Sequence, residues 1–411
     1  MDQAKPHVLM IAYHFPPAPE VGGLRPFRFR KYLQRMGYRV DVITAAPSQE
    51  SAGVIVVPDP LRALWEGESK QKLSFQAYVE LLYRKLMFPG HIGFLWARDA
   101  AVACHKVIRE HPADRFVVFS TYPPMGTLLA GLRIRRREKI PWIADFRDPI
   151  SGVAVELMSR NTRFWSRVLE WRSFRLASAV IANSEAAAKL WQRRYPWAQQ
   201  KLHAIGNGFD PEDAPGPREI PPRGYKLLVH AGALYHGRNP NAVLESLARL
   251  RRRGNTDALA TRVLLLGWID QHAGLNKAVF ADAQREGWLE LRATVPRSEA
   301  QHILQEADEL LLVQPQSSVQ VPGKLFEYIC IGRPILALAP KASAIEQILQ
   351  GSAAAQVCLY VDDPAETIDR KLAEFLRLPS TPTPANDWFR ATFNAESQTA
   401  TLAEIIGKIA E

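Results

Sequence analysis

Short apolar, β-branched runs recur along this sequence, continuous rather than alternating, with longer helix-like segments between them. In the first half they are His7–Ala12, Val40–Thr44, Val54–Val57, Phe116–Ser120, Trp142–Ala144, Ala179–Ala182 and Leu202–Ile205. In the second half they are Lys226–Ala231, Arg262–Gly267, Leu289–Ala293, Glu309–Val313, Ile335–Leu338 and Val357–Val361. A strand covered on both faces is apolar throughout, whereas a half-exposed strand alternates. Such runs separated by helices predict parallel sheets flanked by helices on both sides. The stretch DPEDAPGPREIPPRG (210–224) is rich in Pro, Gly and charge and lacks apolar periodicity, so it reads as a linker. At 411 residues the chain exceeds one ordinary core. The expected fold class is α/β, with two doubly wound Rossmann-like domains over 1–212 and 213–386. Ligand sites are expected at the carboxyl ends of their strands. A Pro-rich stretch (378–388) precedes a last helix, 387–411, expected to cross back onto the first domain.

Composition narrows the class. The chain is 47% hydrophobic and 23% charged. No apolar run approaches the ~20 residues of a membrane span, and MDQAKPHVLMIAY lacks a basic segment ahead of a signal-like core. The expectation is a cytoplasmic protein, with the inner face of the cell membrane as a further place for it. Cys104, Cys330 and Cys358 are far apart and outside any metal-ligand spacing, so neither a disulfide framework nor a zinc site is expected.

The net charge of +10 is uneven. Residues 1–215 hold 31 Lys and Arg against 20 Asp and Glu, while residues 216–411 hold 21 against 22. Basic clusters lie at Arg25, Arg28, Arg30, Lys31, Arg35 and Arg39, and again at Arg133 and 135–137. Basic and aromatic residues alternate in RFWSRVLEWRSFR (163–175). A solvated basic face and peripheral contact with an anionic membrane both fit. Nucleic acid is not expected as a partner, because no recognition module accompanies the charge.

The segment VPGKLFEYICIGRPILAL (321–338) poses a chemical question. It predicts a helix from about Gly323 to Ile331, stopped by Gly332 and Pro334, that feeds a strand. Lys324 and Glu327 then share the first turn. A helix N-terminus supplies unpaired N–H donors and about half a positive charge, and Lys324 adds a full one. A carboxylate one turn in can accept the two hydroxyls of a ribose. Phosphate plus ribose means a nucleotide; an ordinary surface Lys–Glu pair is the other reading.

Further stretches support the first. Gly232 ends the strand KLLVHA, and Arg238 follows before Asn239-Pro240, so Arg238 and Lys324 follow two strands of one sheet. Two cations there suit a diphosphate leaving group. Asn207-Gly208 in HAIGNGFDP marks a turn. In HFPPAPEVGGLRP, Gly22-Gly23 precede a helix and allow backbone to approach a substrate. This is no GxGxxG fingerprint, so a dinucleotide enzyme is not supported.

Taken in order, HFPPAPEVGGLRPFRFRKYL, STYPP, ADFRDP, VIANSEAAAKLW, IGNGFD, HAGALYHGRNP, VPGKLFEY and GRPIL resemble the retaining GT-B glycosyltransferases of family 4. The resemblance spans nearly the whole chain. It implies a nucleotide-sugar donor, UDP- or GDP-linked, on the second domain, a lipid-linked or soluble glycan acceptor on the first, a cleft between them, and no required metal or other cofactor. By position it gives Arg238 and Lys324 the donor diphosphate and Glu327 the ribose. Gly22, Gly23, Asn207, Gly232 and Leu325 complete the expected donor set. The family's first glutamate of E-x7-E is here Val319, which leaves Gln316, Ser317, Ser318 or backbone near Gln320 as substitutes. A first-domain histidine is replaced within STYPP, where Tyr122 is no ready base.

The expected reaction is attack by an acceptor hydroxyl on the anomeric carbon with retention, in polysaccharide or glycolipid assembly. Asp145 and Asp148 are candidate acceptor contacts or a helper base, although one could cap a helix and the other pair with Arg147. His14 and Tyr122 are candidate acceptor contacts. A nucleotide-sugar epimerase of the same fold, and a non-catalytic GT-B partner subunit, are the alternatives.

Overall fold

Two parallel sheets organise the chain, one of seven strands in the order β3-β2-β1-β4-β5-β6-β7 and one of six in the order β10-β9-β8-β11-β12-β13. The structure is a computed structural model and describes residues 5–17, 21–45, 52–59, 93–150, 160–235, 237–271 and 273–411. In the first sheet β1 is His7–Ile11, β2 Val40–Thr44, β3 Val54–Val56, β4 Phe116–Tyr122, β5 Trp142–Phe146, β6 Ala179–Ala182 and β7 Leu202–Ala204. In the second, β8 is Lys226–Ala231, β9 Thr261–Leu266, β10 Leu289–Arg292, β11 Glu309–Val313, β12 Ile335–Leu338 and β13 Gln356–Leu359. Each apolar run of the sequence has become a parallel strand, as the α/β expectation required.

The chain divides into two compact units, Met1–Gly206 with Ala395–Glu411, and Asn207–Asn394. In the first, β1 is flanked by β2 and β4, with Val8 opposite both Val40 and Val117. Alternation sends Val8 and Met10 to one face, where they join Phe29, Leu33, Val117, Phe119 and Ile143 in a core closed by Leu402, Ile405 and Ile406. On the other face Trp142 is wholly buried, its Nε1 donating to Ser120 Oγ at 2.9 Å. In the second unit Leu228, Val263, Leu311 and Leu336 pack with Leu244, Leu247, Leu372 and Phe375 from the helices Asn241–Arg252 and Ala365–Leu376.

Both sheets reverse strand direction of growth at one place, between β1 and β4 and between β8 and β11. A crevice opens at the carboxyl ends of strands at such a point, so the loops leaving these four strands are the ones positioned to meet a ligand.

Two expectations need correction. The segment 210–224 is strapped to the second unit: Arg218 N–H donates to Gln305 O at 3.2 Å, Gln305 Nε2 to Gly216 O at 2.8 Å, and Arg333 Nη2 to Arg218 O at 2.5 Å. The expected single last helix is two, Asp387–Phe393 and Ala395–Ala410. Asn394 between them is extended because Phe209 N–H donates to the Phe393 carbonyl at 3.0 Å, and Phe209 and Asn394 form a parallel bridge. Phe389 stacks on Phe209 with centroids 5.4 Å apart, which fixes the shorter helix in the second unit, while Ala395–Ala410 packs in the first.

Candidate active site

At the end of β8, His230 is 1% exposed and its Nδ1 lies 2.9 Å from Leu311 O on β11. A carbonyl only accepts, so Nδ1 carries the proton and Nε2 is the bare nitrogen. Burial, then Lys324, push the imidazole down to about 3, so it is neutral at physiological pH. Gly232 follows at φ 143, and a Cβ there would stand 1.9 Å from Lys324 Nζ. Only glycine lets the lysine reach across to this strand.

Lys324 opens the helix Lys324–Ile331 and donates from Nζ to Ala231 O at 2.7 Å. Its pKa falls to about 8, through burial first and the Arg238 charge second, with Glu327 opposing. Tyr328, one turn on, accepts from Ala231 N–H at 3.2 Å and so ties helix to strand. Arg238 leans on Tyr235, its guanidinium 4.7 Å from the ring centroid and its Nη1 donating to the phenol at 2.8 Å. The fold therefore brings Arg238 and Lys324 within electrostatic reach of each other, with Glu327 beside them. Arg297 Nη2 holds Glu327 Oε1 at 2.6 Å. Asn207 Nδ2 donates to Val321 O at 3.1 Å, which places it against the turn entering the helix.

The position of Val319 lies in a tight turn where Ser317 Oγ accepts from the amides of Val319 and Gln320 at 3.4 and 3.1 Å. Gln316 sits against Gly237, where a Cβ would meet its Nε2 at 1.8 Å. Gln314 is 1% exposed and donates to Gln320 Oε1 at 3.1 Å. Neutral amides thus surround the position where Val319 stands in place of the family's first glutamate, in keeping with Gln316 as a substitute.

In the first unit the loops after β1, β4 and β5 meet around Arg147. Its Nη1, Nη2 and Nε donate to Gly22 O at 2.7 Å, Pro123 O at 2.5 Å and Tyr122 O at 3.2 Å. A Cβ on Gly22 would lie 3.1 Å from Arg147 Nη1 and 3.3 Å from His14 Cδ2. Asp148 acts on both Arg147 and Tyr122, and burial followed by that charge pushes the Tyr122 phenol up. His14, Gly22, Tyr122 and Asp148 therefore share one neighbourhood. Asn183, at the end of β6, joins it by donating Nδ2 to Arg147 O at 2.9 Å.

Four expected contributions change. Asp145 is 0% exposed, held by Arg25 Nη2 at 2.8 Å, Arg25 Nε at 3.1 Å and Thr121 Oγ1 at 2.6 Å. It is a buried counter-ion, not a base open to an acceptor, and Arg25, only 7% exposed, leaves the surface basic cluster. Leu325 is 0% exposed, so its side chain belongs to the core. The amides of Leu325 and Phe326 already bond Pro322 O and Gly323 O, so of the donors expected at this helix end the Lys324 ammonium is the one that brings charge. Gly23 is buried against the backbone of Phe15, 3.1 Å from a would-be Cβ, and its smallness serves that packing. Arg147, Arg297 and Asn183 were not singled out from sequence; their partners lie up to 125 residues away, and only the ADFRDP and NSE strings hinted at strand ends.

Two doubly wound units with cations gathered at the second switch point define a GT-B protein. Residues 27–213 match the model described as Glycosyltransferase Family 4, so the first unit is similar to that family. The fold is shared with sucrose-phosphate synthase from Thermosynechococcus elongatus, at 13% identity and TM-score 0.64 over 98% of this chain and 99% of that one. It is shared with Anabaena HepE, solved in complex with UDP and glucose, at 15% identity and TM-score 0.59 over 98% and 100%. WaaG, a glycosyltransferase involved in lipopolysaccharide biosynthesis, matches at 15% identity and TM-score 0.58 over 98% of each chain. No curated protein matches the sequence significantly.

Proposed function

We propose that this protein is a glycosyltransferase that moves a glycosyl group from a nucleoside diphosphate sugar to an acceptor hydroxyl with retention, in the assembly of a polysaccharide or glycolipid. The observation that carries the reading is the meeting of Arg238 and Lys324 beside the end of β8, with Glu327 one turn into the helix. The donor's diphosphate takes the two cations. Glu327 accepts the ribose diol, and the Arg297 hydrogen bond orients its carboxylate for that. HepE's UDP and glucose are in keeping with this donor class.

In the proposed reaction the acceptor oxygen bonds to the anomeric carbon as the bond to the β-phosphate oxygen breaks, on the same face. The departing phosphate oxygen takes the acceptor's proton. Its growing negative charge is what Arg238 and Lys324 stabilise, and this is the main catalytic contribution. Acceptor contacts are assigned to His14, Tyr122 and Asp148, with Gly22 offering backbone. Because two fixed cations face the diphosphate, transfer is proposed to need no metal, and chelator treatment leaves turnover unchanged.

The test pairs binding with rate. UDP or GDP at about 100 times its Kd raises stability by roughly 2.7 kcal/mol. Arg238→Ala and Lys324→Ala each lower turnover by roughly 10²–10³. Near-normal turnover in both variants overturns the assignment, and conversion of donor to an epimer without acceptor marks an epimerase.

A further inference from the structure

The helix Arg160–Leu176 carries five arginines and one acid. That acid, Glu170, is 0% exposed and is engaged by Arg194 at 2.9 Å and the Tyr195 hydroxyl at 3.0 Å. The outward face is therefore uniformly positive. It is also aromatic: Phe164 is 59% exposed and Trp171 42%. Trp197, 53% exposed, stands beside the end of this helix on the short turn Pro196–Lys201. Trp171, Arg175, Trp197, Gln200 and Lys201 line an open recess of about 590 Å³.

We propose that this face seats the protein on an anionic lipid bilayer. Exposed tryptophan is costly in water but favourable at headgroup depth, where its ring is half in hydrocarbon and its N–H stays wet. Arginines alongside it meet lipid phosphates, and no exposed acid on the helix opposes them. The spacing Arg160, Phe164, Arg167, Trp171, Arg175 is one helical stripe about 22 Å long, the geometry of a helix lying in an interface. A glycan is the poorer occupant. Arg175 stands 5.4 Å from the Trp171 centroid and Lys201 5.7 Å from that of Trp197, so a cation already covers one face of each ring that a sugar would stack on. The helix ends at Leu176, just before β6 begins at Ala179, so the recess lies by the amino edge of the sheet, opposite the carboxyl edge that carries His14 and Tyr122. The proposal is independent of the transfer reading.

The experiment sediments the full chain with vesicles of phosphatidylcholine alone and of phosphatidylcholine mixed with phosphatidylglycerol. Binding is expected only to the mixed vesicles and is lost in high salt. Arg167→Glu with Arg175→Glu, and separately Trp171→Ala with Trp197→Ala, each weaken it by roughly tenfold or more, with the thermal transition of each variant checked alongside. Since the two pairs change different chemistry, one misfolded variant leaves the other decisive. No binding, equal binding to both vesicles, wild-type binding by the folded variants, or capture of a soluble anionic glycan in place of vesicles overturns the proposal.

Discussion

Lys324 loses proton affinity because its ammonium leaves water and faces Arg238, while only Glu327 pulls the other way. The direction has a consequence. Below about pH 8 the free protein holds Lys324 charged; above it, a diphosphate must bring a proton back before it can bind. UDP affinity is therefore expected to be flat at lower pH and to fall about tenfold per unit above that point. Calorimetry in buffers of different ionisation enthalpy should show proton uptake on binding near pH 8. Lys324→Arg should abolish both effects, since a guanidinium stays charged. An unchanged affinity at pH 9.5 in the wild-type protein would remove Lys324 from the diphosphate. His230 shows what single residues conceal in a sequence. It reads as one more isolated histidine, and only the Leu311 carbonyl fixes its tautomer. Arg25 likewise reads as the first of a surface cluster, because nothing local says that its partner is Asp145, 120 residues on.

At the scale of elements, that pair is a clamp. Arg25 lies in the first turn of the helix Leu24–Arg35, Asp145 lies in β5, and Arg25 Nη2 also reaches Ile205 O beyond β7 at 2.8 Å. Removing one partner leaves a buried charge uncompensated. Asp145→Ala is expected to destabilise the first unit by about 3–5 kcal/mol in urea unfolding. The double change Arg25→Met with Asp145→Leu should cost clearly less, because no lone charge remains. Equal losses would make Asp145 important for something other than its charge. Strand positions were legible because burial on both faces writes itself into consecutive apolar residues. The Lys324–Ile331 helix was legible to within a residue because Gly332 and Pro334 stop it. The use of its first amides was not, since that depends on how tightly the turn at Pro322 closes. The split at Asn394 was hidden too, because the bond that extends the chain comes from Phe209.

For the whole molecule, the last helix is part of the first unit's core: Leu402 and Ile406 are 0% exposed against strands near the other end of the sequence. Ending the chain after Asn394 uncovers them. A protein lacking 395–411 is expected to lose the first unit's cooperative unfolding transition while the second keeps nucleotide-dependent stabilisation. Survival of both transitions would show that the helix is dispensable. The two-domain plan was readable from the spacing of apolar runs and a Pro-rich connector. Which unit each connector joins was not, because backbone hydrogen bonds such as Arg218 N–H to Gln305 O leave no trace in composition.

The same arrangement sets a timetable for synthesis. Residues 207–394 are one uninterrupted stretch, whereas the other unit is written in two pieces on either side of it. The contiguous unit folds from one unbroken stretch, whereas the other cannot close its core until Ala395–Glu411, made after all of its partner unit, is in place. Until those residues are made and docked, the apolar floor they cover stays open to chaperones and to neighbouring chains.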